Sequence, residues 1–156
     1  MSRISRACRL AAFLPLAAST GLTGQSTAAA SEADVEAVRQ AVADYVEALY
    51  EVDPTKIERS VSRGLAKIGI GRDDAPTSTI EEDRMTFDEL RDTAAEWNAD
   101  GNVPPSATKE IVVFDVLDRI ASAKVTASWG IDYFHLAKYD GRWLIVNVIY
   151  QGHPDP

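Results

Sequence analysis

The sequence predicts an α+β fold, with N-terminal helices packed on one face of an antiparallel sheet. Three observations lead there. Apolar residues recur at helical spacing between Val35 and Trp97. After Pro104-Pro105 the apolar period changes from 3.6 to 2. The stretch DYFHLAKYDGRWLIVNVIYQ (Asp132 to Gln151) then reads as two strands joined at Asp140-Gly141, a pair that accepts the positive φ values of a type I′ hairpin. Helices followed by a meander of strands is the α+β arrangement.

The first thirty residues stand apart. Arg3, Arg6 and Arg9 form a positive region, Leu10 to Ala18 an apolar stretch too short to span a bilayer, and Ala28-Ala29-Ala30 a small-residue cleavage site. The sequence therefore predicts a signal peptide over 1–30, export to the periplasm or outside, and one domain over 31–156. Cys8, the only cysteine, leaves with the signal, so the exported chain has neither disulfides nor thiol chemistry. Losing three arginines and no acids takes 16 basic and 24 acidic residues to 13 and 24, a net charge of −11. Such a surface repels phosphate backbones and anionic lipid, so neither nucleic acid nor a membrane is expected as a partner.

Ser31-Glu32-Ala33-Asp34 is a capping start, and Val35, Val38, Val42, Tyr45 and Leu49 make one stripe of the first helix. Asp53-Pro54 starts a second helix. Ile57, Val61 and Leu65 recur every four residues and carry it to the glycines Gly69 and Gly71. Asp73 to Ser78 is a loop, flanked by short extended pieces around Lys67 to Ile70 and Thr79 to Met85. Thr86-Phe87-Asp88-Glu89 is a capping box for a third helix with Phe87, Leu90, Ala94 and Trp97 on one face; Gly101 and Pro104-Pro105 stop it. Three strands follow, Glu110 to Leu117, Ala121 to Lys138 and Arg142 to Gln151, turning at Asp118-Arg119 and Asp140-Gly141.

Counting from those turns sets the faces. Tyr133, His135, Trp129, Ile131, Val146, Val148 and Tyr150 are expected toward the helices. Asp132, Phe134, Leu136, Trp143, Ile145, Asn147 and Ile149 are expected on the outer face. A patch as apolar as Phe134, Leu136, Trp143, Ile145 and Ile149 is seldom left wet, so a homodimer through that face is expected.

The final segment, with KEIVVFDV and ASAKVTA before it and Leu65-Ala66-Lys67 earlier, resembles the nuclear transport factor 2-like superfamily. It is most similar to the putative lumazine-binding branch, over roughly Val35 to Gln151. The resemblance implies a cone-shaped fold with a curved sheet, a pocket between the helices and the inner sheet face, and dimers through the sheet. Isomerases, dehydratases and plain binding proteins all share this superfamily. Relatives carry a His-Pro-Asp run just before the LAK; this chain has Ser62-Arg63-Gly64, so no role of that histidine carries over.

Tyr133 and His135 are candidates for proton transfer in the pocket. Asp132 would be a general base if a β-bulge near Gly130 turned it inward, since an apolar cavity raises a carboxyl pKa. Tyr45, Trp97, Trp129, Tyr133, His135 and Tyr150 are the expected pocket residues, and each is also an ordinary core residue type. His135 and His153, the only histidines, lack ligand spacing, and no phosphate loop or nucleophile elbow occurs, so neither metal nor cofactor is expected. Three readings stay open: an exported small-molecule-binding protein, an isomerase- or dehydratase-like enzyme, and a structural dimer with a filled cone.

Overall fold

The computed structural model describes residues 30–70 and 84–154. The predicted signal segment, the Asp73 to Ser78 loop and most of the Thr79 to Met85 piece lie outside them. Within them the architecture is α+β, as expected. Helices α1 (Glu32–Tyr50), α2 (Pro54–Ser60) and α3 (Phe87–Glu96) lie against one face of a six-stranded sheet. The strands β1 (Val61–Ile70), β2 (Arg84–Met85), β3 (Lys109–Val116), β4 (Ile120–Ala127), β5 (Gly130–Tyr139) and β6 (Arg142–Gln151) run in the order β2-β1-β6-β5-β4-β3. All neighbours are antiparallel except β1 and β6, so the sheet is mixed.

Side-chain caps start all three helices. Ser31 accepts from the Asp34 amide, Asp53 from the Thr55 amide with Pro54 at the first position, and Thr86 and Glu89 close a capping box. The second helix is shorter than its spacing predicts. It ends at Ser60, and Val61 to Ile70 is strand. A repeat of four is also twice the strand period, so Val61 and Leu65 share a face in either structure. Val61, Ser62 and Gly64 are poor helix formers, which favours the strand.

The larger correction concerns the expected strand from Ala121 to Lys138. It is two strands, broken by a two-residue turn at Ser128-Trp129, with Ala127 opposite Gly130. A two-residue turn changes the parity of the inward residues. Ala123, Val125 and Ala127 point inward on β4, and Asp132, Phe134 and Leu136 point inward on β5. Tyr133 and His135 are therefore outside, with Tyr133 53% exposed. Gly130 permits the turn: its φ is +151°, and a Cβ there would lie 2.1 Å from the Gln151 carbonyl oxygen.

Two β-bulges complete the change. On β6 the register slips beside Val146, so Trp143 and Ile145 point inward before the slip and Val148 after it. On β3 it slips at Phe114, which turns outward, while Ile111, Val113 and Val116 pack on the core. Phe134, Leu136, Trp143 and Ile145, expected at a dimer contact, are thus buried in the core. Ile149 and the half-buried Asn147 do lie on the outer face.

Candidate functional site

One inward row of the sheet runs from Gly69 on β1 through Tyr150 on β6 and Asp132 on β5 to Val125 on β4. Gly69 leaves room for the Tyr150 ring, since a Cβ there would fall 2.6 Å from Tyr150 Oη. Two residues before Gly69, Lys67 points the same way and is only 6% exposed. Its ammonium stands 3.9 Å from the centroid of the Tyr150 ring and 5.3 Å from that of Tyr45.

These residues form a buried polar cluster inside an otherwise apolar cone. Tyr45 Oη on α1 donates to Asp132 Oδ2 at 2.8 Å. Lys67 Nζ donates to Tyr45 Oη at 2.5 Å and lies 3.7 Å from Asp132 Oδ2. Trp129 Nε1 donates to the other carboxylate oxygen at 2.8 Å, so Asp132, with no exposure at all, has both oxygens satisfied. Burial pushes the Tyr45 hydroxyl well above its ordinary pKa, and the Asp132 carboxylate adds to the effect. Burial also pushes Lys67 down, against the pull of Asp132.

Next to this cluster is a cavity of about 210 Å³. Tyr45 and Leu49 of α1, Lys67, Met85, Leu90 and Thr93 of α3, Trp97, Trp129, Tyr150 and Gly152 line it. Trp97 and Trp129 meet edge to face at 5.2 Å, and Tyr50 packs on both. Tyr50 also ties the Ser128-Trp129 turn to α1, accepting from the Ser128 amide and donating to the Thr108 carbonyl. The cavity can hold a small flat molecule against indole and phenol faces, with the Lys67 ammonium as a cationic donor at its wall.

The structure brings Tyr45, Trp97, Trp129 and Tyr150 to this cavity from four separate segments. Tyr133 and His135 are not on it. His135 lies in a separate outer-face hollow of about 390 Å³. Asn147 Nδ2 donates to the Ala66 carbonyl, and Asn147 Oδ1 lies 3.0 Å from His135 Nδ1. Asp132 is inside because of the turn at Ser128-Trp129, and it reaches the cavity only through Tyr45 and Trp129. Lys67 is not legible as a site residue because the four-residue repeat carries the helix through it, and the extended piece expected around Lys67 to Ile70 is too short to set a face. As a strand, Leu65, Lys67 and Gly69 alternate inward, and a lysine among them is the signal. Among the described residues, no three His, Cys, Asp or Glu side chains cluster to hold a metal.

Residues 33–151 match the family described as "Putative lumazine-binding". No match is found among curated proteins. Solved structures of similar shape include an NTF2-like protein of unknown function from Shewanella baltica OS155, 22% identical, covering 79% of this chain and 96% of that one with a TM-score of 0.56. Another, from Methylobacillus flagellatus KT, is 19% identical over 80% of this chain and 96% of that one, with a TM-score of 0.60. A ketosteroid isomerase-like protein from Erwinia carotovora atroseptica SCRI1043 is 16% identical over 80% of this chain and all of that one (100%), with a TM-score of 0.55. At these identities the likeness is one of fold.

Proposed function

The chain belongs to the putative lumazine-binding family of the nuclear transport factor 2-like superfamily, and from that membership we propose that it is an exported small-molecule-binding protein whose ligand occupies the aromatic cavity of the cone. One observation supports this most: a cavity of about 210 Å³ walled by Tyr45, Trp97, Trp129 and Tyr150 has, among the described residues, one cationic donor, Lys67, at its wall. Ligand sites are mostly apolar with few polar groups that fix orientation. A flat heteroaromatic molecule such as lumazine would lie against Trp97 and Trp129 and turn a ring carbonyl toward Lys67 Nζ. A cone filled by its own side chains would leave no cavity of this size.

The isomerase or dehydratase reading draws on Asp132, a carboxylate inside the cone. Tyr45 and Trp129 stand between its two oxygens and the cavity, so it touches no bound molecule directly and we prefer binding. Export, with the chain starting at Ser31, is supported by the pattern of the first thirty residues. The homodimer is kept in this reading on different residues: Phe114, Ile120, Tyr133 and Ile149, all exposed on the outer face.

Titrating the protein with lumazine while following tryptophan emission tests the reading. Saturable quenching is expected, with Trp97→Ala weakening it by about ten-fold, the loss of one aromatic contact of roughly 1.4 kcal/mol. Emission unchanged by lumazine and by a panel of one- and two-ring heteroaromatics would count against it.

A further inference from the structure

We propose that Lys67 captures its ligand covalently: the amine condenses with the carbonyl of a small aromatic aldehyde or ketone held in the cavity, forming a reversible imine. This rests on the cavity being a binding site.

Among the described residues two lysines are buried, and they are held differently. Lys56 lies between two carboxylates, 2.8 Å from Glu47 and 2.7 Å from Glu51, which keep it charged. Among the described residues the carboxylate near Lys67 is that of Asp132, at 3.7 Å, while Lys67 donates its hydrogen bond to the Tyr45 phenol. Lys67 also lines the aromatic cavity, and Lys56 is not on it. An ammonium taken from water into an apolar wall, with its carboxylate at 3.7 Å and a phenol between them, is an environment in which a lysine can give up its proton.

The route for that proton is built in. Lys67 Nζ, Tyr45 Oη and Asp132 Oδ2 form a chain of two hydrogen bonds. One proton passes from Lys67 to Tyr45 as the phenolic proton passes to Asp132. An amine and a carboxylic acid replace the ion pair, and no net charge moves in or out of the cone. The amine lone pair then attacks the carbonyl carbon, and the π electrons go to oxygen. A proton moves from nitrogen to that oxygen to give the carbinolamine. Asp132, through Tyr45, returns its proton to the hydroxyl, which leaves as water while the nitrogen lone pair forms the C=N bond. The products are a protonated imine, a carboxylate and one water, so the Lys67–Asp132 charge pair is restored. No oxidant or reductant enters. Trp97, Trp129 and Tyr150 supply flat walls beside the amine, which is why an aromatic carbonyl compound fits best.

The test uses benzaldehyde with sodium cyanoborohydride, followed by intact mass and peptide mapping. One benzyl group per chain is expected on Lys67, formed about ten-fold faster than on lysines outside the cavity such as Lys124, and slowed about ten-fold or more by Tyr45→Phe as the proton route is cut. Benzamide, which fits the same space but forms no imine, is titrated in parallel by tryptophan quenching. Quenching by benzamide without an adduct on Lys67 overturns covalent capture and leaves the binding reading standing. Neither quenching nor adduct overturns both. Labelling spread evenly over surface lysines, or a Lys67 rate unchanged in Tyr45→Phe, also overturns the proposal. The wild-type peptide map assigns the site even if Lys67→Arg fails to fold.

Discussion

Lys67 Nζ and Asp132 Oδ2 lie 3.7 Å apart inside the cone, with the Tyr45 hydroxyl hydrogen-bonded to both. The two residues are 65 positions apart in the sequence and reach each other from β1 and β5. Both are almost fully shielded from water. A buried pair adds little net stability against an apolar replacement, but removing one member strands the other. Lys67→Met should therefore lose about 3–5 kcal/mol in urea unfolding, and the double variant Lys67→Met/Asp132→Leu should recover part of that. A single variant as stable as wild type would show that the pair is not held as described.

Gly69 sets where the Tyr150 ring lies, and so what faces Lys67. A methyl group at residue 69 would overlap the phenol end of Tyr150 at 2.6 Å. Gly69→Ala should push the ring off the ammonium and lose a cation–π contact of about 2 kcal/mol. The expected result is a lower unfolding midpoint and an altered near-ultraviolet dichroism spectrum. An unchanged spectrum would mean that the ring has room elsewhere.

How far the sequence foretold this site depends on a few residues. Caps at Ser31, Asp53 and Thr86, and the turns at Asp118-Arg119 and Asp140-Gly141, are local chemistry and were legible. The turn at Ser128-Trp129 was not, because Ser-Trp carries no glycine or asparagine at its centre. A strand of 18 residues would have been roughly 60 Å long, well beyond ordinary strands, and that length was the warning. Missing this turn inverted β5 and with it Asp132, Tyr133, His135, Phe134 and Leu136. The bulges at Phe114 and Val146 follow sheet curvature, which no local residue pattern announces. The aromatic residues Tyr45, Trp97, Trp129 and Tyr150 were less affected, since three of them lie on helices, at a helix end or in the turn itself.

Asp34 gives the structure a defined response to acid. Lys138 Nζ donates to its Oδ1 at 2.5 Å, Trp143 Nε1 to the same oxygen at 2.9 Å, and Ser31 Oγ to Oδ2 at 2.9 Å. These donors, Lys138 first, lower its pKa from 3.8 to about 2. A group depressed on folding adds stability above its unfolded pKa of 3.8 and loses it as pH falls through about 2. Asp34→Asn should melt below wild type at pH 6, and the gap should close between pH 3.8 and about 2. A gap that stays constant across that range would assign the loss to packing of Trp143 instead.

The outer face carries the last prediction. Phe114 and Tyr133 stack there at 5.9 Å between centroids, and with Ile120 and Ile149 they form an exposed apolar group on β3 to β6. Burying each of the four is worth about 1.5–3 kcal/mol, against an association cost of roughly 4–15 kcal/mol, so the balance admits a dimer without requiring one. A two-fold axis through the sheet would cover this group with its own copy. Sedimentation equilibrium at micromolar concentration should give twice the chain mass, and Tyr133→Asp should shift it to monomer with the fold intact. Ile145→Asp makes the contrast. Ile145 is fully buried under the helices, so that variant should unfold rather than dissociate. Wild type that stays monomeric well above micromolar concentration would remove the dimer. A folded monomer from Ile145→Asp would return Ile145 to the outer face and overturn the register slip at Val146.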